Sequence, residues 1–206
     1  KKNKKKNKKK LLGKPLIVWT IKTVKKVKEL SDIYVSTDDE KIIKICKKLE
    51  VKVPWKRPKN LSSDTASSVD VALHFLNWYE KNFSTVEGLL LLQPTSPFRK
   101  KNSIEKAIKL FKKNQDKAII GFSPLNKKEL KSLFYIKNKT NNPIKLLDIA
   151  NLIKLNGSIY LISPKNLRKY KSFIKPKILP LIQNSLEESI NLDTNEDWKF
   201  AETLKR

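Results

Sequence analysis

Gln93, Thr95, Ser96 and Arg99 follow directly on four consecutive leucines, Leu89 to Leu92. An amide, two hydroxyls and a guanidinium are groups that hold a ligand by hydrogen bonds and charge. Four leucines in a row cannot alternate in and out. Such a run reads as a strand buried on both faces, as in a parallel sheet. Pro94 ends it, because proline has no N–H for the ladder. In open α/β sheets ligands sit just beyond the carboxyl ends of strands. The polar turn therefore lies where a ligand belongs, at the end of what reads as a central strand. His74 is the sole histidine. It falls on a helix with no Cys or carboxylate cluster around it and reads as structural, which leaves no zinc site and no histidine-based triad.

The elements that position this turn follow from periodicity. Ile17, Ile21, Val24 and Val27 have helical spacing within Leu16 to Leu30, and Ile42, Ile45, Cys46 and Leu49 mark a helix over Asp39 to Leu49. Ser67 or Ser68 caps a helix that carries Ala72, Phe75, Leu76 and Tyr79 on one side. Ser103 starts another, with Ile104, Ala107, Ile108 and Phe111 as its stripe. Ser163-Pro164 suits a cap and first helical position, and Thr194 with Asp197 resembles a capping box before a last helix, Asn195 to Leu204. Asp32 to Thr37, Val51 to Val53, Gly88 to Gln93 and Lys117 to Phe122 read as strands. Strand and helix alternate, which predicts an α/β fold with a mainly parallel sheet and helices on both faces. After Pro124 the pattern changes. Leu133 to Ile136 and Asn156 to Ile162 look like strands separated by a polar, Asn- and Lys-rich segment.

At 206 residues the chain is one domain. Its formal charge of +26 points to nucleic acid or an anionic membrane. The kind of base argues otherwise. Arginine occurs only at Arg57, Arg99, Arg168 and Arg206. Nucleic-acid readers favour the planar arginine fork, whereas lysine here is spread over almost every segment beside abundant Asn and Ile. The composition bias of an AT-rich genome accounts for this. A lysine-rich nucleic-acid-binding protein remains the alternative from another class. Cys46 is the one cysteine, on an apolar helix stripe, so no intrachain disulfide forms and a cytoplasmic location fits. No apolar run approaches a membrane span. Lys14 and Pro15 interrupt the only stretch that imitates a signal peptide.

Leu91-Leu92-Gln93-Pro94-Thr95-Ser96-Pro97-Phe98-Arg99 resembles the signature of the acylneuraminate (sialic acid, nonulosonic acid) cytidylyltransferases. Further motifs agree in the family's order: Gly13-Lys14-Pro15-Leu16-Ile17, Val35-Ser36-Thr37-Asp38, Arg57-Pro58 with Leu61 to Ser68, Asn156-Gly157-Ser158-Ile159-Tyr160, and Asp193-Thr194. The resemblance covers nearly the whole chain. It implies a Rossmann-like nucleotide-diphospho-sugar transferase fold over 1–206, with 124–162 as an extension for dimer contact and the sugar site. It implies Mg²⁺-dependent transfer of CMP from CTP to a nonulosonic acid such as N-acetylneuraminate, with release of pyrophosphate. The partners so implied are CTP, an acidic sugar and a second copy of the chain, with no specific nucleic acid and no membrane.

The same resemblance implies the site. Arg57, Ser68 and Asn7 fall near the nucleotide, and Gln93 near both sugar and nucleotide. Lys6 and Asn7 match a loop that touches phosphate and sugar. Lys131 and Tyr160 match the sugar side. Asp193 and Asn191 stand where such enzymes present Asp-x-Asp to the metal, with Asn191 bringing a carbonyl oxygen in place of a charge. Gln93, Arg57 and Asp193 are expected to point into one cleft. Each residue also has a structural reading: a loop arginine for Arg57, a helix cap for Ser68, a strand-end amide for Gln93, a solvated lysine tail for Lys6 and Asn7, and a carboxylate near a helix start for Asp193. The family's first strand and a loop of roughly Pro-Ala-Arg-x-Gly-Ser-Lys are expected before this region. Their absence ahead of Lys6 supports a second reading, a catalytically impaired fragment or remnant of the fold.

Overall fold

The structure, a computed structural model, describes residues 7, 9–63, 65–125, 134–136, 143–145 and 152–204, with 134–136 and 143–145 as backbone only. In chain order the elements are β1 (Lys10–Leu11), β2 (Lys14–Pro15), α1 (Leu16–Val24), α2 (Glu40–Lys48), α3 (Ser68–Asn82), β3 (Leu89–Leu91), α4 (Lys101–Lys113) and β4 (Ala118–Pro124). They continue with β5 (Phe134–Ile136), β6 (Pro143–Lys145), β7 (Ile153–Ile162), α5 (Pro164–Tyr170), β8 (Ile178–Ile182) and α6 (Asn195–Thr203). Among the described residues, no helix is long and apolar enough to cross a membrane.

The main sheet has the order β3-β7-β4-β8. β7 runs antiparallel to both β3 and β4, and β8 runs parallel to β4. Three of the four strands therefore point the same way, with one reversed strand between them. The α/β architecture is as expected from the sequence, and the sheet is mixed. The reversal has a local cause. The Leu125 N–H donates to the Leu152 carbonyl at 3.2 Å, so the chain leaves β4 and returns into β7 at one point. A connection that closes on itself makes its flanking strands antiparallel. The residues that read as an extension thus divide: Ile153–Ile162 is a strand of the main sheet, while β5 and β6 pair with each other outside it.

The leucine run alternates between two cores. Leu90 and Leu92 pack with Ile119, Ile159, Leu161 and Leu181 against α4 and the end of α1. Leu89 and Leu91 pack with Ala118, Ile120 and Ile162 against Ala72 of α3, Leu167 of α5 and Phe173. Helices cover both faces, as expected. β3 ends the four-stranded ladder, however, and its leucines are half-buried. It is not the central strand that the run suggests.

Other expectations shift at their edges. Asp32 to Thr37 forms no ladder strand. It makes isolated parallel bridges, Tyr34 to Lys52 and Thr37 to Lys56, and the expected strand at Val51 to Val53 is reduced to the first of these. α1 stops at Val24, and α4 begins at Lys101 ahead of Ser103. β8 is absent from the sequence reading because Pro180 interrupts its apolar run. Proline is tolerated on an outer strand, and β8 is the outer partner of β4. The end of the lysine run is held in place. Leu11 is fully buried with Leu16, Phe98, Leu192 and Trp198, and the Lys9 ammonium sits 4.1 Å from the Trp198 ring centroid. Cys46 is core, as expected, and burial pushes its thiol up.

Candidate functional site

The strand-end turn is built by backbone bonds. Ser96 N–H donates to the Gln93 carbonyl at 3.3 Å, and Leu192 N–H donates to the Thr95 carbonyl at 2.8 Å. The turn and the 191–193 segment therefore lie side by side, although nearly a hundred residues separate them. β3, β4 and β8 share a direction, so Gln93 stands at the carboxyl edge of three strands, where open α/β sheets place ligands.

The Gln93 amide nitrogen donates to Ser68 Oγ at 3.3 Å. Ser68 is available because Ser67 caps α3: its Oγ accepts the Asp70 N–H at 3.0 Å. A helix cap is thus the role of Ser67, and the Ser68 hydroxyl faces the strand end. Across the turn, Asn191 Nδ2 donates to Asp193 Oδ2 at 2.6 Å, while Asn191 Oδ1 is buried without a hydrogen-bond partner among the described residues. Asp193 does not cap α6. Thr194 and Asp197 do so as a capping box, as expected from the sequence. Gly157, at φ +72°, brings the Asn156-Gly157-Ser158 corner against Asn191. A Cβ on it would lie 3.8 Å from the Asn191 carboxamide, in ordinary contact.

Arg57 is placed by a different segment. Its Nη2 donates to the Ser36 carbonyl at 2.9 Å and its N–H to the Thr37 carbonyl at 2.9 Å. Burial lowers the guanidinium from its usual value and the Asp38 charge opposes this. Its Nε is buried with no partner among the described residues. Tyr160 lies in register between Leu91 and Ile120, its ring 5.5 Å from Phe173, and burial pushes its hydroxyl up. It belongs to the sheet face that also packs Leu91, two residues before Gln93. Asn7 is half-buried. Lys6 and Lys131 lie outside the described residues, as do Leu133 and the side chains of Phe134 and Ile136. His74 packs edge-on against Trp55, its ring 5.1 Å away, in keeping with a structural role.

Arg99 departs from the expectation. It does not present its charge to a ligand. Only 3% of it is exposed. Its Nε donates to the Ser158 carbonyl at 2.6 Å, Nη2 to the Gln93 carbonyl at 2.9 Å, and Nη1 to Thr20 Oγ1 at 3.3 Å. Burial pulls the guanidinium down to about 9, against the Glu188 charge that supports it. Glu188 is buried too, and Oε1 accepts Lys100 N–H at 2.9 Å and Gln183 Nε2 at 3.0 Å. Gln183 Oε1 accepts Asn156 Nδ2 at 2.8 Å and lies 2.5 Å from Ser158 Oγ. This network under the site is missing from the sequence reading. Arg99, Asn156 and Ser158 lie in motifs visible in the sequence, but nothing in the local spacing of Thr20, Gln183 and Glu188 ties them to those motifs.

The metal expectation can be tested on Asn191 and Asp193. Among the described residues no group of three or more His, Cys, Asp or Glu side chains could hold an ion. Mg²⁺, however, is commonly bound through one or two protein oxygens plus substrate phosphates. A carboxylate beside a partnerless amide oxygen fits that mode.

Residues 2–169 match the model of a protein family described as cytidylyltransferase. The chain is 34% identical over 206 residues to the CMP-N,N'-diacetyllegionaminic acid synthase of Legionella pneumophila, covering 97% of this chain and 88% of that protein. It is 30% identical over 199 residues to an N-acylneuraminate cytidylyltransferase of Streptococcus agalactiae, covering 91% of this chain and 46% of that longer protein. Among solved structures it is similar to CMP:2-keto-3-deoxy-manno-octonic acid synthetase complexed with CTP, with TM-score 0.68 at 14% identity over 97% of this chain and 91% of that one. At that identity the likeness bears on the fold alone.

Proposed function

The chain belongs to the cytidylyltransferase family, and from that premise we propose that it transfers CMP from CTP to a nonulosonic acid. A sugar hydroxyl attacks the α-phosphorus of CTP. The new P–O bond forms as the α–β bridging bond breaks, the hydroxyl proton passes to solvent water, and pyrophosphate leaves. Little covalent chemistry falls to the protein, so catalysis is positioning and charge neutralisation. The observation that carries the reading is the junction at the carboxyl edge. There the Gln93–Ser68 pair and the Asn191–Asp193 pair are held side by side by the Thr95–Leu192 backbone bond.

In this proposal Gln93 orients the sugar and the nucleotide by its amide, and Ser68 fixes that amide. Arg57 supplies a guanidinium for phosphate or a base edge, with its unpartnered Nε as one donor. Tyr160 lines the sugar side. Asp193 and Asn191 would hold Mg²⁺, which neutralises phosphate charge when bound. Lys6, Asn7 and Lys131 keep the roles that the resemblance gives them. A homodimer is part of the proposal. Ile153 and Leu155, exposed at 37% and 40% where the connection returns into β7, support it as apolar surface in need of a cover.

The test is pyrophosphate release from CTP with N-acetylneuraminate and with legionaminate, against ATP and GTP as controls. Turnover with CTP alone is expected, and Gln93→Ala should lower kcat/KM by roughly 10²-fold. Equal turnover with all three nucleotides, or full activity in Gln93→Ala, would sink the proposal.

A further inference from the structure

A buried cation needs a reason. Taking a guanidinium out of water is costly, and an apolar side chain of similar volume often fills such a place at less cost. Among the described residues, Arg99 has no carboxylate as its hydrogen-bond partner. Its fork is spent on two backbone carbonyls and one hydroxyl. The carbonyls are not arbitrary. One belongs to Gln93, whose side chain meets Ser68. The other belongs to Ser158, next to Gly157, on which a Cβ would meet the Asn191 carboxamide at 3.8 Å. The hydroxyl is that of Thr20 in α1. We propose that Arg99 is a positioning residue for cytidylyl transfer, whose rigid guanidinium sets the separation between the Gln93 turn and the Asn156-Gly157-Ser158 corner.

The geometry explains why arginine serves and lysine would not. A planar guanidinium offers donors at fixed angles, so carbonyls bound to it are held at a fixed distance from each other. An ammonium is a point charge on a flexible stem and imposes no such spacing. The following residue reinforces the tie. Lys100 N–H holds Glu188, Glu188 holds Gln183, and Gln183 holds Asn156 of the same corner. Two adjacent residues thus clamp the turn to β7 from within the core. Misplacement of reacting groups by about 1 Å is enough to cost roughly 10²-fold in rate.

The inference rests on the reading of Gln93 as a substrate contact, so its test carries one readout that needs no turnover. Arg99→Lys keeps the charge and loses the fork. The variant is expected to keep KM for CTP within about threefold while kcat falls roughly 10- to 100-fold. Its Gln93 side-chain amide resonance should also move in a proton–nitrogen correlation spectrum. Thr20→Val removes only the 3.3 Å bond to Nη1 and serves if Arg99→Lys does not fold. It is expected to lower kcat by about threefold with the same shift of the Gln93 amide. A lowered melting temperature with kcat and the Gln93 resonance both unchanged, in whichever variant folds, overturns the proposal. Absence of cytidylyl transfer in the unaltered protein would fail the functional reading instead, and the Gln93 resonance would still decide whether Arg99 positions the turn.

Discussion

Gly121 stands at the irregularity of β4, between Ile120 and Phe122, and its missing side chain makes room for the buried network. A Cβ built there would lie 2.5 Å from Ser158 Oγ, 2.8 Å from Gln183 Oε1 and 2.9 Å from Asn156 Oδ1. All three atoms are hydrogen-bonded to one another's side chains, at 2.5 to 2.8 Å, and all three residues are at most 3% exposed. None can swing into solvent. Gly121→Ala therefore forces the network apart without any backbone penalty, since the φ of Gly121 is not among the positive ones. Two buried partners left unsatisfied at about 1–3 kcal/mol each give ~2–6 kcal/mol. For a chain of this size that is a fall in melting temperature of roughly 5–20 °C. Thermal and urea unfolding of Gly121→Ala and of the parent measure it. Ser158→Ala removes the nearest obstacle, so the double variant should lose less than the sum of the singles. A loss below about 1 kcal/mol in Gly121→Ala, or strict additivity in the double variant, would refute the steric reasoning.

Asn191→Asp sets a second carboxylate oxygen where an amide nitrogen now donates to Asp193 at 2.6 Å. The metal-free variant should lose on the order of 1 kcal/mol from like-charge repulsion, and Mg²⁺ should bind it more tightly by titration calorimetry; equal affinity in both forms would show that Asp193 does not face a metal. Leu11→Ala empties a fully buried position between the lysine run and α6. Urea unfolding should show a loss of roughly 2–5 kcal/mol, and a loss of a few tenths would mean that the start of the chain does not contribute to the core.

Much of this molecule is written locally. The leucine run packs on both faces because its alternation feeds two cores, whatever its place in the sheet. The capping box at Thr194 and Asp197, the cap at Ser163 and the Ser96–Gln93 bond of the polar turn rest on partners within four residues, so short-range spacing shows them. The resemblance of the Gln93 turn to a nucleotidyl-transfer signature belongs to the same class, because the motif is contiguous. The fate of each charge is another matter. Arg99 reads from its neighbours as a ligand-facing cation, yet its partners come from residues 20, 93 and 158. Ser67 and Ser68 are alike as caps on paper, and only the arrival of Gln93 beside α3 separates their roles. Pro180 argues against a strand until β4 supplies an outer edge for it. Local sequence sets what a segment can form, by backbone preference and by the period of its apolar residues. Which buried polar group meets which partner is decided by desolvation across distant segments, and that exists only once the chain has closed.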